Sequence, residues 1–335
     1  TPEIEVKIRG DSSLNKRSMK QLIELMSEFG ASFYPSNKFK FPLKMYSSNV
    51  PVGIRYKAGV SAQLKSAVIL AGLNSYGDTE ILEDKSSRNH TENMLIKNSN
   101  VIKIKGSKKK IIKVQGKKIL NSINIDVPGD PSSAAFFTAL TLLNKKSSIQ
   151  IKNVGLNPTR VGFYNLLKKQ GAKIKFSNTR KENNEIRGNI FVQSSKMKPI
   201  IAGKEYYVNS TDEYPILFII AALTNGTSIF EGIQDLANKE SDRIKEMQKV
   251  LKQVGVKTTS SRKGLKIFGK GMINGNNKKI IVPGLGDHRI CMSAFILGIL
   301  TGAVTKIKNF ETVNTSSPSF LKIMKSLGAK FEIQK

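Results

Sequence analysis

The 335 residues carry 55 Lys and Arg against 25 Asp and Glu, a net charge of +30, and are 39% hydrophobic and 24% charged; this is a globular composition, long enough for two domains. One cysteine, Cys291, and two histidines exclude an internal disulfide and a Cys/His zinc site and fit a reducing, cytoplasmic setting. No uncharged apolar run approaches the about 18 residues of a membrane span, and TPEIEVKIRG lacks the apolar core of a signal peptide.

In chain order, EIEVKIRG reads as a strand that exits into the polar loop GDSSLNKR, with Arg17. MKQLIELMSEFG follows as an amphipathic helix with Gly30 at a left-handed C-cap, then a strand. SAQLKSAVILAGLNSYGDTEI, from Ser61, is an apolar helix, a turn and a strand, which leaves through SSRNHTE with Arg88 and His90. TENMLIKNSNVIKI, around Asn98, fits a second amphipathic element. The apolar helix and strand return as SSAAFFTALTLLNKKSSIQI from Ser132, EYPILFIIAALTNGTSIFEG from Glu213 and DHRICMSAFILGILTGAVTKI from Asp287. The amphipathic helix, closing glycine and strand return as FYNLLKKQGAKIKF, RIKEMQKVLKQVGVKTT and FLKIMKSLGAKFEI, with Gly171, Gly255 and Gly328.

The two blocks alternate with a period of about 70–80 residues, marked by the strand-opening Thr79, Ser148, Ser228 and Thr305. Each unit is a βαβα-type piece of an α/β protein. The apolar helices have almost no polar face and are expected to be buried on all sides, with the amphipathic ones outside. The opening strand has no buried helix before it, so the chain is expected to begin inside a unit.

The excess charge admits three readings: lysine-rich surface drift, a polyanion partner, or small anionic substrates held by a few placed cations. Lys108-Lys109-Lys110 and Lys278-Lys279 lie in polar turns or surface strands, with no nucleic-acid-binding motif beside them. Polar residues gather instead at the starts of the apolar helices and in the loops after the strands. Helix starts offer free N–H groups and a positive dipole end, which suit phosphate or carboxylate. Ser61-Ala62-Gln63, Gly129-Asp130-Pro131-Ser132-Ser133, Asp212-Glu213 and Asp287-His288-Arg289 open the four apolar helices. Arg17, Arg88, Lys239 and Arg243 stand in the loops, with Glu240 and both histidines. Singly, each is an ordinary N-cap or a solvated charge, and Lys239–Arg243 could be an exposed cluster. Together they suggest an anion-binding acid/base site.

SAQLKSAVILAGL, SRNHTENML, VPGDPSSAAFF, NPTR, DEYP, NKESDRI and GDHRICMSAF occur in the order seen in 5-enolpyruvylshikimate-3-phosphate synthases, which the chain resembles from about Gly10 to Leu327. SAQ-x-K, R-x-H-x-E and N-x-T-R are similar to the class II enzymes, which often tolerate glyphosate. The resemblance implies a two-domain, inside-out α/β barrel-like fold of repeated units, with the active site in the interdomain cleft. Residues 1–127 would be a partial domain with one complete unit and the tail of another, and 128–335 a second domain with three units.

The implied reaction moves the enolpyruvyl group of phosphoenolpyruvate to the 5-hydroxyl of shikimate 3-phosphate and releases phosphate, without metal or other cofactor. Carried over by motif, Ser61, Ala62, Gln63, Arg88, Asp212 and Lys239 would bind shikimate 3-phosphate. Arg17, Gln63, Arg243 and Arg289 would bind phosphoenolpyruvate. Asp212 would be the base for the 5-hydroxyl, Glu240 the partner in proton transfer, and His288 a support. The implied protein is a cytoplasmic monomer of aromatic amino-acid biosynthesis, without nucleic-acid or membrane partners. Two site segments of the family, a lysine–serine segment and an Asn-Ser-Gly-Thr loop, are not in this sequence, so the fragment alone is expected to be impaired. Asn89, Ala237 and Ser317 stand where the family usually has Asp, a basic residue and Phe.

Two alternatives stay open at this point. The sister enzyme acting on UDP-N-acetylglucosamine carries a cysteine at the place of GDSSLNKR, where this chain has none. A basic nucleic-acid-binding protein is the other. In a filter-binding titration, tight DNA or RNA binding that falls steeply with salt marks the nucleic-acid reading. Saturable thermal stabilisation by shikimate 3-phosphate, the outcome expected here, marks the transferase.

Overall fold

The computed structural model describes residues 4–97, 100–107 and 109–334. Asn98, the centre of one expected element, and Lys108 of the lysine run lie outside the described residues. The chain divides into unit 1, residues 1–126 with 181–185, and unit 2, residues 127–180 with 186–335.

Unit 1 begins with β1 (Glu5–Ile8), α1 (Lys20–Glu28), β2 (Ser32–Tyr34) and β3 (Leu43–Tyr46), a three-stranded sheet in the order β1-β3-β2. β4 (Arg55–Ala58), α2 (Ala62–Asn74), β5 (Asp78–Glu83), α3 (His90–Leu95), β6 (Ile102–Lys105) and β7 (Lys110–Gln115) follow. Their sheet runs β4-β5-β7-β6, with β4 parallel to β5 and the other pairs antiparallel.

Unit 2 repeats that pattern. α4 (Pro131–Leu143), β8 (Ser148–Gly155), α5 (Gly162–Lys169), β9 (Lys173–Glu182) and β10 (Glu185–Gln193) give the sheet β8-β10-β9. β11 (Ile201–Ala202), α6 (Tyr207–Ser210), α7 (Tyr214–Ala222), β12 (Gly226–Glu231), α8 (Arg243–Gln253), β13 (Lys257–Ser261) and β14 (Gly264–Gly269) give β11-β12-β14-β13, again with one parallel pair followed by antiparallel ones. β15 (Lys279–Val282), α9 (His288–Thr301), β16 (Val304–Ile307) and α10 (Phe320–Ser326) close the chain around a parallel pair, β15-β16.

The expected alternation is present, with three corrections. First, β7 and β14 each return antiparallel on the strand before them, and β10 returns beside β9, so the two four-stranded sheets are mixed. Asn183 and Asn184, at positive φ, turn the β9–β10 hairpin without a glycine signal, which hid the return strand. Second, AKFEI after Gly328 forms no strand, and Phe331 sets its ring against Phe295 at 5.7 Å. Third, α3 is a short helix of six residues.

The apolar helices explain the core. α4, α7 and α9 lie against one another in unit 2, and Ile216 to Ala222 of α7 are fully buried. α7 carries β-branched Ile219 and Ile220, so intrinsic propensity contributes little and burial holds it helical, at about 1.5–3 kcal/mol per large apolar side chain. Pro215 sits in its first turn, where no backbone donor is lost. α2 departs from the expectation: it is buried along one face only, and Leu70 is 49% exposed. It packs on α1 and one sheet, and no second apolar helix occurs among the described residues of unit 1. The glycines Gly30, Gly171, Gly255 and Gly328 all have positive φ, as the C-cap reading requires. No helix among the described residues is long and apolar enough to cross a membrane.

The repeat also has a packing signature. A Cβ on Gly72 would meet the Thr79 side chain at 2.8 Å, and one on Gly298 the Thr305 hydroxyl at 2.2 Å. The equivalent sequence positions, each seven before a strand-opening Ser, hold Thr141 and Ala221. Gly298→Val is therefore expected to destabilise the chain by about 1–3 kcal/mol or more through overpacking, read from the urea midpoint at unchanged m-value.

Candidate functional site

In unit 2 the polar groups at three helix starts converge on Arg243, the first residue of α8, which is only 1% exposed. Its Nε donates to Asp287 Oδ2 at 3.0 Å and its Nη2 to Glu240 Oε2 at 2.6 Å. Its Nη1 lies 3.7 Å from Asp212 Oδ1. Asp287 is fully buried, N-caps α9 by accepting from the Arg289 N–H at 3.0 Å, and also accepts from the Ser241 hydroxyl at 2.9 Å. Burial works against the Arg243 charge, but Asp287, Glu240 and Asp212 outweigh it and raise its pKa. Lys239–Arg243 is thus no solvated cluster: the helix-start aspartates turn its arginine inward.

Arg289 lies beside this group, with Nη2 3.8 Å from Asp212 Oδ2. Asp212 therefore faces one guanidinium with each oxygen. Arg289 Nε and Nη1 and Arg243 Nη1 are buried and have no hydrogen-bond acceptor among the described residues. Unmet guanidinium donors at this spacing are what a carboxylate or phosphate would satisfy. His288 opens α9 between Asp287 and Arg289. Burial, then the Arg289 charge, pushes its pKa below 6.5, so the ring is neutral at neutral pH. Lys239 is half-buried and pairs with Asp235 at 2.6 Å, which also accepts from the Tyr207 hydroxyl at 2.7 Å. Burial raises the Asp235 pKa, but these donors hold it below the ordinary carboxylate value.

A second network is built on Glu213, the residue after Asp212. Arg160 Nη2 donates to Asp130 Oδ1 at 2.7 Å and to the Ser132 hydroxyl oxygen at 2.8 Å. The Ser132 hydroxyl in turn donates to Glu213, which is 2% exposed. Burial and the neighbouring Asp212 charge push the Glu213 pKa upward. Arg160, Glu213 and Asp287 received no binding or catalytic role from the sequence, although the two acids were noted at helix starts. The signal was there in kind: Arg160 belongs to NPTR, and Glu213 and Asp287 are acids opening wholly apolar helices.

In unit 1, Ser61 N-caps α2 by accepting from the Leu64 N–H at 3.3 Å, with Ala62 and Gln63 in the first turn. Arg88 is half-buried in the loop between β5 and α3, and Arg17 follows the short helix Leu14–Lys16. His90 sits at the start of α3, 2.8 Å from Glu185. Among the described residues there is no cluster of acids, histidines and cysteine suited to a metal ion. Cys291 is free and buried in α9, with its thiol pushed up to about 12 by burial and then by Asp287.

Residues 1–324 match the family model described as EPSP synthase (3-phosphoshikimate 1-carboxyvinyltransferase). The chain is 36% identical over 324 residues to a 3-phosphoshikimate 1-carboxyvinyltransferase of Paramagnetospirillum magneticum, covering 96% of this chain and 72% of that protein. It is 37% identical over 328 residues to one of Zymomonas mobilis, covering 97% of this chain and again 72% of the relative. A solved EPSP synthase of Acinetobacter baumannii superposes with a TM-score of 0.84 at 33% identity, over 99% of this chain and 76% of that one. The enolpyruvyl transferase NikO of Streptomyces tendae shares the fold at a TM-score of 0.73, with 12% identity, over 98% of this chain and 73% of its own. The fold is the mixed α/β fold of enolpyruvyl transferases.

Asp287→Asn removes one charge compensating a buried guanidinium and is expected to cost about 3–5 kcal/mol, measured by urea unfolding at pH 7. The His288 ring is expected to titrate below 6.5 by NMR. Since its folded-state pKa lies below the unfolded value, the stability tied to the neutral ring is present above pH 6.5 and lost as pH falls through the folded value.

Proposed function

The chain belongs to the EPSP synthase family, and from that premise we propose that it carries 3-phosphoshikimate 1-carboxyvinyltransferase activity (EC 2.5.1.19), a step of aromatic amino-acid biosynthesis. The observation that carries the reading is the Asp212 group: two buried guanidinia with unmet donors, set against one carboxylate.

The reaction adds the 5-hydroxyl of shikimate 3-phosphate to the central carbon of phosphoenolpyruvate, then eliminates phosphate. Arg243 and Arg289 would hold the carboxylate and phosphate of phosphoenolpyruvate through bidentate donors, and Arg17 and Gln63 are proposed for the same ligand from the family motifs. For shikimate 3-phosphate the motifs propose Ser61, Ala62, Gln63, Arg88, Asp212 and Lys239. Asp212 would accept the 5-hydroxyl proton. Each of its oxygens faces a guanidinium, Arg243 on one side and Arg289 on the other. Glu240, anchored by Arg243, would exchange a proton with the methylene carbon. A neutral His288 would support that exchange without adding positive charge. Units 1 and 2 would be the corresponding pieces of a two-domain, inside-out α/β barrel-like protein, with the single complete repeat in the first and three in the second.

Calorimetric titration with each substrate tests the binding half of this reading. Saturable binding of shikimate 3-phosphate and of phosphoenolpyruvate is expected. Arg289→Ala is expected to weaken phosphoenolpyruvate by ~10-fold or more, the loss of a charge-assisted pair. Phosphate release from the two substrates together tests the chemistry, and Asp212→Asn is expected to lower it by ~10²–10⁴-fold. Binding of neither ligand, or undiminished phosphate release by Asp212→Asn, would overturn the assignment.

A further inference from the structure

Lys65 lies in α2, one turn after the cap residue Ser61, and is fully buried. An ammonium does not enter a core alone. Its Nζ lies 2.7 Å from Glu83 Oε1 and 2.5 Å from Glu92 Oε1, and both acids are themselves buried. Glu83 ends β5, and Glu92 belongs to α3. One side chain thus joins a helix start, a strand end and a second helix.

What it joins brackets Arg88. On one flank, Ser87 donates to the same Glu83 oxygen through its N–H at 3.0 Å and its hydroxyl at 2.9 Å. On the other flank, α3 carries Glu92 to the ammonium, and Thr91 shares a 2.7 Å hydrogen bond with Ser66 of α2. Burial pushes the Glu83 carboxyl up, but Lys65 and Ser87 together hold it below the ordinary value. A second ammonium, Lys110, lies 3.9 Å from its other oxygen.

Packing does not require this arrangement. Apolar side chains of the same size would fill the space without desolvating three charges, and buried ion pairs add little net stability over such replacements. What charges supply here and methyl groups do not is a directional tie between particular atoms.

We propose that Lys65 is a positioning residue, which clamps both flanks of Arg88 to the start of α2 and so sets the geometry in which unit 1 receives the phosphate of shikimate 3-phosphate. The inference rests on the substrate reading above. It adds a residue outside the binding set and a reason for a charged group inside an apolar helix.

Glu92→Gln tests it. The substitution keeps the Lys65–Glu83 pair and takes the charge out of the tie to α3, leaving at most a neutral hydrogen bond. Calorimetry is expected to show the dissociation constant for shikimate 3-phosphate raised about tenfold, as for the loss of one charge-assisted bond, with that for phosphoenolpyruvate unchanged. Amide hydrogen exchange is expected to quicken in residues 86–95. The charge-free set Lys65→Met, Glu83→Gln and Glu92→Gln guards against misreading a folding defect. It is expected to melt as a single cooperative transition and still to bind shikimate 3-phosphate weakly. Faster exchange with an unchanged dissociation constant would overturn the clamp while leaving the substrate reading intact. Equal weakening of both ligands would make it a general stabiliser and overturn it too. If the unsubstituted chain binds neither substrate, the substrate reading fails and takes the inference with it.

Discussion

A guanidinium that cannot give up its charge, placed where water cannot reach it, organises unit 2. Arg243 is always protonated, so its burial requires carboxylates close by. It draws Asp212 from the start of α7, Glu240 from the loop before α8 and Asp287 from the start of α9. Removing one partner of such a group costs far more than the assembled group contributes. The positions of the acids and of the arginine therefore constrain one another. The consequence for chemistry is that Asp212 and Glu240 are held by a residue whose own remaining donors are unmet. The arrangement of these three acids thus depends on one buried cation.

Unit 1 uses the same physics with a lysine. Lys65 gathers Glu83 and Glu92 as Arg243 gathers its acids, and in both units the cation stands in or at a helix whose start carries polar residues. The repeat makes this possible. In α2 and α9 the helix meets its own strand at a glycine, Gly72 on Thr79 and Gly298 on Thr305. That contact fixes where the helix begins, and hence where its first-turn N–H groups and cap side chains stand. The caps differ in chemistry, Ser61 in one case and Asp130 and Asp287 in others, while the backbone frame recurs.

Much of this was legible from residue order. Apolar runs of helical length, closing glycines and strand-opening hydroxyl residues located the repeated units, and the glycines do adopt positive φ. Polar residues at helix starts gave the candidate positions Ser61, Asp212, His288 and Arg289. The return strands of the hairpins were not legible, because strand pairing is a non-local choice and the β9–β10 turn uses two asparagines. Nor was the half-exposure of α2, since an apolar run does not state how many neighbours will cover it.

The sequence by itself determined the period, the alternation of apolar and amphipathic helices, the side-chain chemistry available at each helix start and the family to which the chain belongs. These are local matters, set by caps, apolar runs and turn residues within a few positions of one another. Only the tertiary structure decided which charges are buried and with whom. Lys239 and Arg243, four residues apart, look alike on the page. One pairs with Asp235 at a half-open position, and the other closes on Asp287 from a different helix start. The energy of a charge depends on what surrounds it in space and on whether water is excluded, and neither is written along the chain.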